Sequence, residues 1–289
     1  MLASLNYRPH HSWIEKIHPA ARWIFAFLTT LAITTFWDVR FLAFFFLLAI
    51  VQYRLARVTW AETRRAWLVV LLIMFTMIFL NTIITGAGTI GAVMQSGHPI
   101  LVLPIRVPLV GWETTFTLTV ERLWFALAQF LRIVSIAMLF MIIPFTMDPR
   151  VYGVTFRKLG LPDRLAFTTD LAFRFIPTLS RDFMMTLDAQ RARGYEIERA
   201  QGGLIAQIRR VAPLLVPVTM NAILTGEDVA NAMDLRCFGL RPRTWILATP
   251  YRGLDWAVIA FSVALLVGSL VIRYGLGLGD FWVPPWLFS

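Results

Sequence analysis

The sequence predicts an all-α integral membrane protein with about five transmembrane helices and a cytoplasmic helical domain inserted between spans four and five. Three observations carry that prediction: the composition, the spacing of the apolar runs, and the alternation of arginine-rich with arginine-poor connections. Of 289 residues, 58% are hydrophobic and only 15% are charged, against roughly 45–50% and about 25% in a soluble domain. The 23 Phe and 11 Trp residues point the same way, toward a chain whose solvent is partly lipid.

A spanning helix needs about 20 mostly apolar residues to cross a hydrocarbon core of about 30 Å. Such runs occur at Arg22–Trp37, Val39–Tyr53, Trp67–Thr85, Leu123–Phe145 and Asp255–Tyr274. The first two are short and separated only at Asp38, which predicts a tight helical hairpin. Between the third and fourth runs, Gly86–Trp112 contains Gly86, Gly88, Gly91, Gly97, Pro99, Pro104 and Pro108 among Val, Leu and Ile. That pattern is too broken for a spanning helix and predicts a long outer loop, 86–112, extended against the bilayer surface. The organisation is then a membrane domain of four spans at 1–147, a cytoplasmic domain at 148–254, and a fifth span with an outer tail at 255–289.

Charge fixes the orientation. The chain has 27 Lys and Arg against 17 Asp and Glu, a net +10, and its only lysines are Lys16 and Lys158. A basic chain raises nucleic acid as a partner, but these arginines are spread over several loops instead of gathered on one face. They lie where cationic loops orient a protein in a bilayer, so the lipid bilayer is a partner and nucleic acid is not. Arg8, Lys16 and Arg22 mark the N-terminal arm; Arg54, Arg57, Arg64 and Arg65 mark the loop after the second span; the segment from Asp148 to Leu254 holds most of the rest. The opposite side has Arg40, Arg106 and Arg273. Five crossings with a cytoplasmic N-terminus and an outer C-terminus account for the alternation. The first twenty residues are polar and basic and predict no cleaved signal peptide. The single cysteine, Cys237, excludes an internal disulfide and a cysteine-based metal cluster.

About a hundred residues between the fourth and fifth spans are too many for a connector. Leu179, Phe183 and Leu187 recur at a spacing of four among polar residues, predicting an amphipathic helix over Pro177–Arg193 that ends at Gly194. A second helix is predicted from Pro213 and Pro217 to Arg236, with Gly239 beyond it. Both helices close on an arginine followed within three residues by a glycine. The macrodipole alone favours an arginine there, by about 0.3–1 kcal/mol. A pair of them on adjacent cytoplasmic helices suits docking, because a guanidinium engages a carboxylate through two parallel hydrogen bonds.

Between Arg132 and Gly239 the chain resembles the T component of energy-coupling factor (ECF) transporters, the transmembrane scaffold of a class of ATP-driven micronutrient importers. The resemblance rests on Leu131-Arg132, Arg174-Phe175-Ile176-Pro177, Ala189-Gln190-Arg191-Ala192-Arg193-Gly194 and Ala232-Met233-Asp234-Leu235-Arg236. The family carries an Ala-Arg-Gly-like triplet at the tip of each of two coupling helices. Ala192, Arg193 and Gly194 match the first triplet in full, while Leu235, Arg236 and Cys237 keep only the arginine of the second. The resemblance implies two cytoplasmic ATP-binding-cassette (ABC) ATPase subunits as partners, one at each tip. It also implies a small membrane-embedded substrate-binding S component that takes up a vitamin or a transition metal. The location implied is the inner or plasma membrane of a prokaryotic cell.

The chain is expected to be a non-catalytic subunit that binds no cofactor, the ATP and Mg being used by the partner ATPases. A P-loop needs Gly-Lys-Ser/Thr, but Lys16 follows Glu15 and Lys158 follows Arg157. His10, His11, His18 and His98 are expected to be solvated, and the pairs Glu196/Glu198 and Glu227/Asp228 to be charged surface. Arg132 and Gln129 are costly in lipid and are expected to face protein. Ala260, Ala264 and Gly268 present small residues in a register that lets another helix approach. The methionines (Met138, Met141, Met184, Met185, Met220, Met233) suit either an adaptable surface or a core.

Three other readings fit less well. A conventional ABC importer permease has one coupling loop, and Asp188-Ala189…Gly194 faintly resembles it, but the next proline after Gly194 is Pro213, too far for that loop. A membrane-embedded enzyme needs more intramembrane polar groups than Asn81, Gln129 and Arg132. A secondary transporter predicts inverted repeats, which an asymmetric cytoplasmic insert does not give.

Overall fold

A computed structural model describes residues 12–84, 99–107, 112–194, 204–240, 250–282 and 284. The helices are α1 (Pro19–Thr34), α2 (Val39–Ala56), α3 (Trp60–Ile84), α4 (Val120–Thr146), α5 (Tyr152–Lys158), α6 (Asp163–Ala192), α7 (Leu204–Leu235) and α8 (Gly253–Leu270). Strands β1 (Pro99–Val107) and β2 (Trp112–Thr119) precede α4. Single turns at Ile14–Lys16 and Pro149–Val151 precede α1 and α5, and a wider π turn at Val271–Gly275 extends α8. The chain divides into two compact units, one built on Asp148–Thr249 and the other on Arg8–Met147 with Pro250–Ser289.

All five apolar runs fall on helices. Among the described residues three, Val39–Ala56, Leu123–Thr146 and Gly253–Gly275, are long and apolar enough to cross a bilayer by length and composition. Pro19–Thr34 is apolar but shorter. The third run lies in α3, whose 25 residues rise roughly 37 Å at 1.5 Å per residue. The fold is helical, as expected, with one addition. The structure replaces the described end of the expected outer loop with an antiparallel hairpin, Leu103 opposite Phe116 and Ile105 opposite Thr114. Extended backbone exposes its N–H and C=O groups, and pairing with a second strand satisfies them where a single extended loop does not. The glycines Gly86, Gly88, Gly91 and Gly97 lie outside the described residues.

In the membrane unit the helix ends are tied by polar contacts that set the helix directions. His18 caps α1, its Nδ1 accepting from the Ala20 N–H at 3.0 Å. The His18 N–H donates to Asp255 Oδ1 at 2.6 Å, and Asp255 Oδ2 accepts from the Arg252 N–H at 2.7 Å. Both residues are buried. With Phe25 stacked on Phe261 further along, α1 and α8 run parallel. Arg22 is buried at the start of α1 and donates to the carbonyl and hydroxyl of Thr146, both at 3.0 Å, so α4 runs against α1. Asp38 caps α2 through the Arg40 N–H, making the expected α1–α2 hairpin. The Tyr53–Thr63 hydroxyl contact at 2.8 Å folds α3 back on α2. Directions therefore alternate from helix to helix, as five crossings require.

The core between these helices uses small side chains, Ala20, Ala26, Ala32 and Ala49, interleaved with Ile33, Phe36, Leu42, Leu139 and Ile142. Small residues let backbones approach where water supplies no hydrophobic drive. Trp67, Met74, Val134 and Met141 form a second buried cluster against which Met138 packs, so the membrane methionines serve as core. The outward faces carry large apolar side chains such as Phe44, Leu47, Leu72, Phe75, Phe261 and Val267, and only 17% of the α8 span is buried within the chain. Ala260 and Ala264 belong to that outward face.

The tail folds back on the helix ends. The Gly279 carbonyl accepts from the Trp37 N–H at 2.9 Å, and a Cβ at Gly279 would stand 2.5 Å from the Phe36 ring. The Arg40 guanidinium sits 3.5 Å from the centre of the Trp282 ring, and Trp124 Nε1 donates to the Trp282 carbonyl at 3.0 Å.

Candidate functional site

The two arginine tips belong to α6 and α7, and both helices start earlier than their prolines suggested. The structure begins α6 at Asp163, not Pro177, and α7 at Leu204, not Pro213, with the prolines inside each helix. A proline removes one hydrogen bond and bends a helix without ending it when the chain on both sides stays helical.

α6 closes at Ala192. The Arg193 N–H donates to the Gln190 carbonyl at 3.1 Å, and the Gly194 N–H to the Arg191 carbonyl at 2.9 Å. Gly194 has φ +82°, the left-handed conformation glycine adopts freely. α7 closes at Leu235 in the same way. The Cys237 N–H donates to the Asp234 carbonyl at 2.9 Å, and the Phe238 N–H reaches back to the Met233 carbonyl at 3.0 Å, completing a Schellman motif. Cys237 has φ +55°. Arg193 and Arg236 thus occupy the same cap position, and Gly194 and Cys237 the same left-handed position after it. The second triplet departs from the first in its side chain and keeps its backbone.

Ala192, Arg193, Gly194, Leu235, Arg236 and Cys237 are all exposed. Beside Arg193, Asp188 is 3.6 Å from Arg191. Among the described residues neither Arg193 nor Arg236 has an ion-pair partner. Arg236 is flanked by Leu235, 86% exposed, and Leu240, 78% exposed. Leu240 was not singled out from sequence; its signal is a leucine directly after Gly239, just beyond the helix cap.

The tips lie at opposite ends of the helix pair. Asn221 Nδ2 donates to Asp182 Oδ2 at 3.2 Å, and Phe238 packs on Phe167 with ring centres 4.6 Å apart. Rising numbers on α6 meet falling numbers on α7, so the helices are antiparallel. The second tip lies level with the start of α6, and about 25 residues of α6, or roughly 37 Å of contour at 1.5 Å per residue, separate it from the first. Gly153 on α5 approaches α6 so closely that a Cβ there would stand 2.7 Å from the Ala166 carbonyl. Leu165, Ile176 and Met185 on α6 and Leu215, Val216 and Ile223 on α7 remain exposed, as do Met184 and Met220. This is more apolar surface than a solvated helix pair ordinarily leaves open.

The other expected residues resolve as follows. Arg132 faces protein: it donates to the Phe36 carbonyl and lies 4.3 Å from the centre of the Trp37 ring. Gln129 is half-buried, and Glu227 and Asp228 are exposed. His18 is not a solvated histidine but the buried cap of α1, packed on the Tyr251 ring and tied to Asp255 at the start of α8. His10, His11, His98, Glu196 and Glu198 lie outside the described residues. Among the described residues no group of three or more His, Cys, Asp or Glu converges as metal ligands.

A family model described as CbiQ, cobalt transport protein, matches residues 10–246. The chain belongs to the CbiQ family. Its relatives include proteins named energy-coupling factor transporter transmembrane protein EcfT. One, from Leuconostoc gelidum subsp. gasicomitatum, is 25% identical over 93% of this chain and 94% of its own length. Another, from Staphylococcus aureus, is 24% identical over 93% of this chain and 94% of its own length. A third, from Thermosediminibacter oceani, is 36% identical over 41% of this chain, and the chain spans only 45% of that relative's length. This member of the CbiQ family therefore aligns with some relatives end to end and with others over less than half their length.

Proposed function

We propose that the chain is the energy-coupling transmembrane subunit of an ECF-type importer. Its two arginine-tipped helices carry the motion of two cytoplasmic ABC ATPase subunits to a separate membrane-embedded substrate-binding component. The observation that carries this reading is the repeated cap: Arg193 and Arg236 stand in the same backbone frame at opposite ends of an antiparallel pair. Two separated, equivalent cations suit two acidic grooves on two subunits, whereas a permease with one coupling loop needs only one. The exposed apolar faces of α6 and α7 suit the substrate-binding component. Its cargo, a vitamin or a transition-metal ion, is selected there and not by this chain.

In this mechanism ATP closes the ATPase pair, the two tips are drawn with their grooves, and α6 and α7 shift against each other about the Asp182–Asn221 and Phe167–Phe238 contacts. If each arginine is desolvated against a carboxylate, truncating it should cost about 2–5 kcal/mol of complex stability. The test is co-purification of the tagged chain with its ATPases, and uptake in cells, for Arg193→Ala, Arg236→Ala and the double variant. Each single change should weaken the complex and the double change should abolish uptake while the chain still inserts. Wild-type uptake by the double variant overturns the proposal.

A further inference from the structure

We infer that the end of α2 carries a binding site for the headgroup of an anionic phospholipid. A groove of about 430 Å³ opens there, lined by Trp13, Ile50, Val51, Arg54, Leu55 and Arg57. Arg54 lies in the last turn of α2 and Arg57 caps the helix at φ 53°, and both residues line the recess. Among the described residues neither has an acidic partner. Lys16 is a third cation beside one wall of the groove, its Nζ 5.7 Å from the centre of the Trp13 ring.

The lining is amphipathic in the way a lipid is. Below the two arginines, Leu55, Val51, Leu47 and Phe44 are exposed at spacings of three and four, a continuous apolar track along α2. The 18 residues of α2 rise about 27 Å, close to the hydrocarbon thickness, so its end lies at headgroup depth. Trp13, 59% exposed, supplies the indole that favours that depth. A phosphate between Arg54 and Arg57 with an acyl chain on the track satisfies every exposed group of the groove. Free phosphate matches only the cations, and the open apolar track favours the lipid. Basic recesses of this kind beside membrane helices hold anionic headgroups. The inference rests on α2 spanning the membrane and not on the coupling role, so it stands or falls separately.

The test is native mass spectrometry of the full chain in detergent, titrated with phosphatidylglycerol, with phosphatidylcholine of the same chains, and with inorganic phosphate. Wild type should retain phosphatidylglycerol in preference to phosphatidylcholine and lose it as ionic strength rises. Arg54→Gln/Arg57→Gln should weaken that binding roughly ten- to thirtyfold. Arg54→Lys/Arg57→Lys should keep most of it and guards against misfolding of the neutral pair. Equal retention by wild type and the Gln variant, no preference over phosphatidylcholine, or displacement by inorganic phosphate alone would overturn the inference.

Discussion

A guanidinium inside a spanning helix is costly unless polar groups receive it, and Arg132 reaches the Phe36 carbonyl and the Trp37 ring at the α1–α2 turn. Removing it leaves a carbonyl at the end of α1 without its donor. Arg132→Ala should lower unfolding stability in detergent by about 1.5–3 kcal/mol. Arg132→Lys should recover little, since an ammonium lacks the flat face that stacks on Trp37. A Lys variant as stable as wild type would refute the stacking contribution. At the tips, Cys237 holds the left-handed conformation that costs an ordinary residue roughly 1–2 kcal/mol. Cys237→Gly should stabilise the cap by about 0.4–1 kcal/mol and Gly194→Ala should destabilise the other by about 1–2 kcal/mol, both read from thermal melting. The arginines were legible because a cation and a glycine near a helix end have local causes. Cys237 was not, since nothing in a cysteine announces a left-handed backbone, and its frame came from the hydrogen bonds around it. His18 was misread for a different reason: its partner Asp255 lies at the far end of the sequence.

Element positions followed from apolar runs and arginines, but element ends did not. α1 begins at Pro19 because a histidine caps it, and α6 runs through Pro177 because packing on α5 and α7 holds both halves helical. Those causes lie in contacts that a linear reading does not contain. The β1–β2 hairpin was the larger miss. Trp112, Thr114, Phe116 and Leu118 alternate with Glu113, Thr115, Thr117 and Thr119, a period-two pattern lying between the expected loop 86–112 and the fourth run and assigned to neither. Within the inserted unit, Gly153 marks where α5 meets α6, with Tyr152 stacked on Phe173 and Arg157 paired with Asp163 on either side. Gly153→Ala should push these helices apart and lower stability by about 1–3 kcal/mol. Limited proteolysis at the α5–α6 turn should quicken in parallel, and unchanged proteolysis would place the close approach elsewhere.

At the scale of the molecule, alternating helix directions agree with an odd number of crossings, and the arginine bias predicts an orientation that labelling can test. The sole cysteine is exposed and belongs to the inserted unit, so it reports that orientation without mutagenesis. A membrane-impermeant maleimide should label Cys237 in inverted vesicles and spare it in intact cells, while Ser289→Cys in a Cys237→Ser background should show the opposite. Labelling of Cys237 from outside would reverse the topology. The antiparallel run of α6 and α7 has a further consequence. Many importers meet a pair of motor subunits with two copies of one chain, and symmetry then ties both contacts to one sequence. On the proposed coupling role, a single chain offers two contacts that belong to different helices and share no residue. One carries Gly194 and the other Cys237 in the same backbone frame, so that role accommodates two unlike partners as readily as two identical ones.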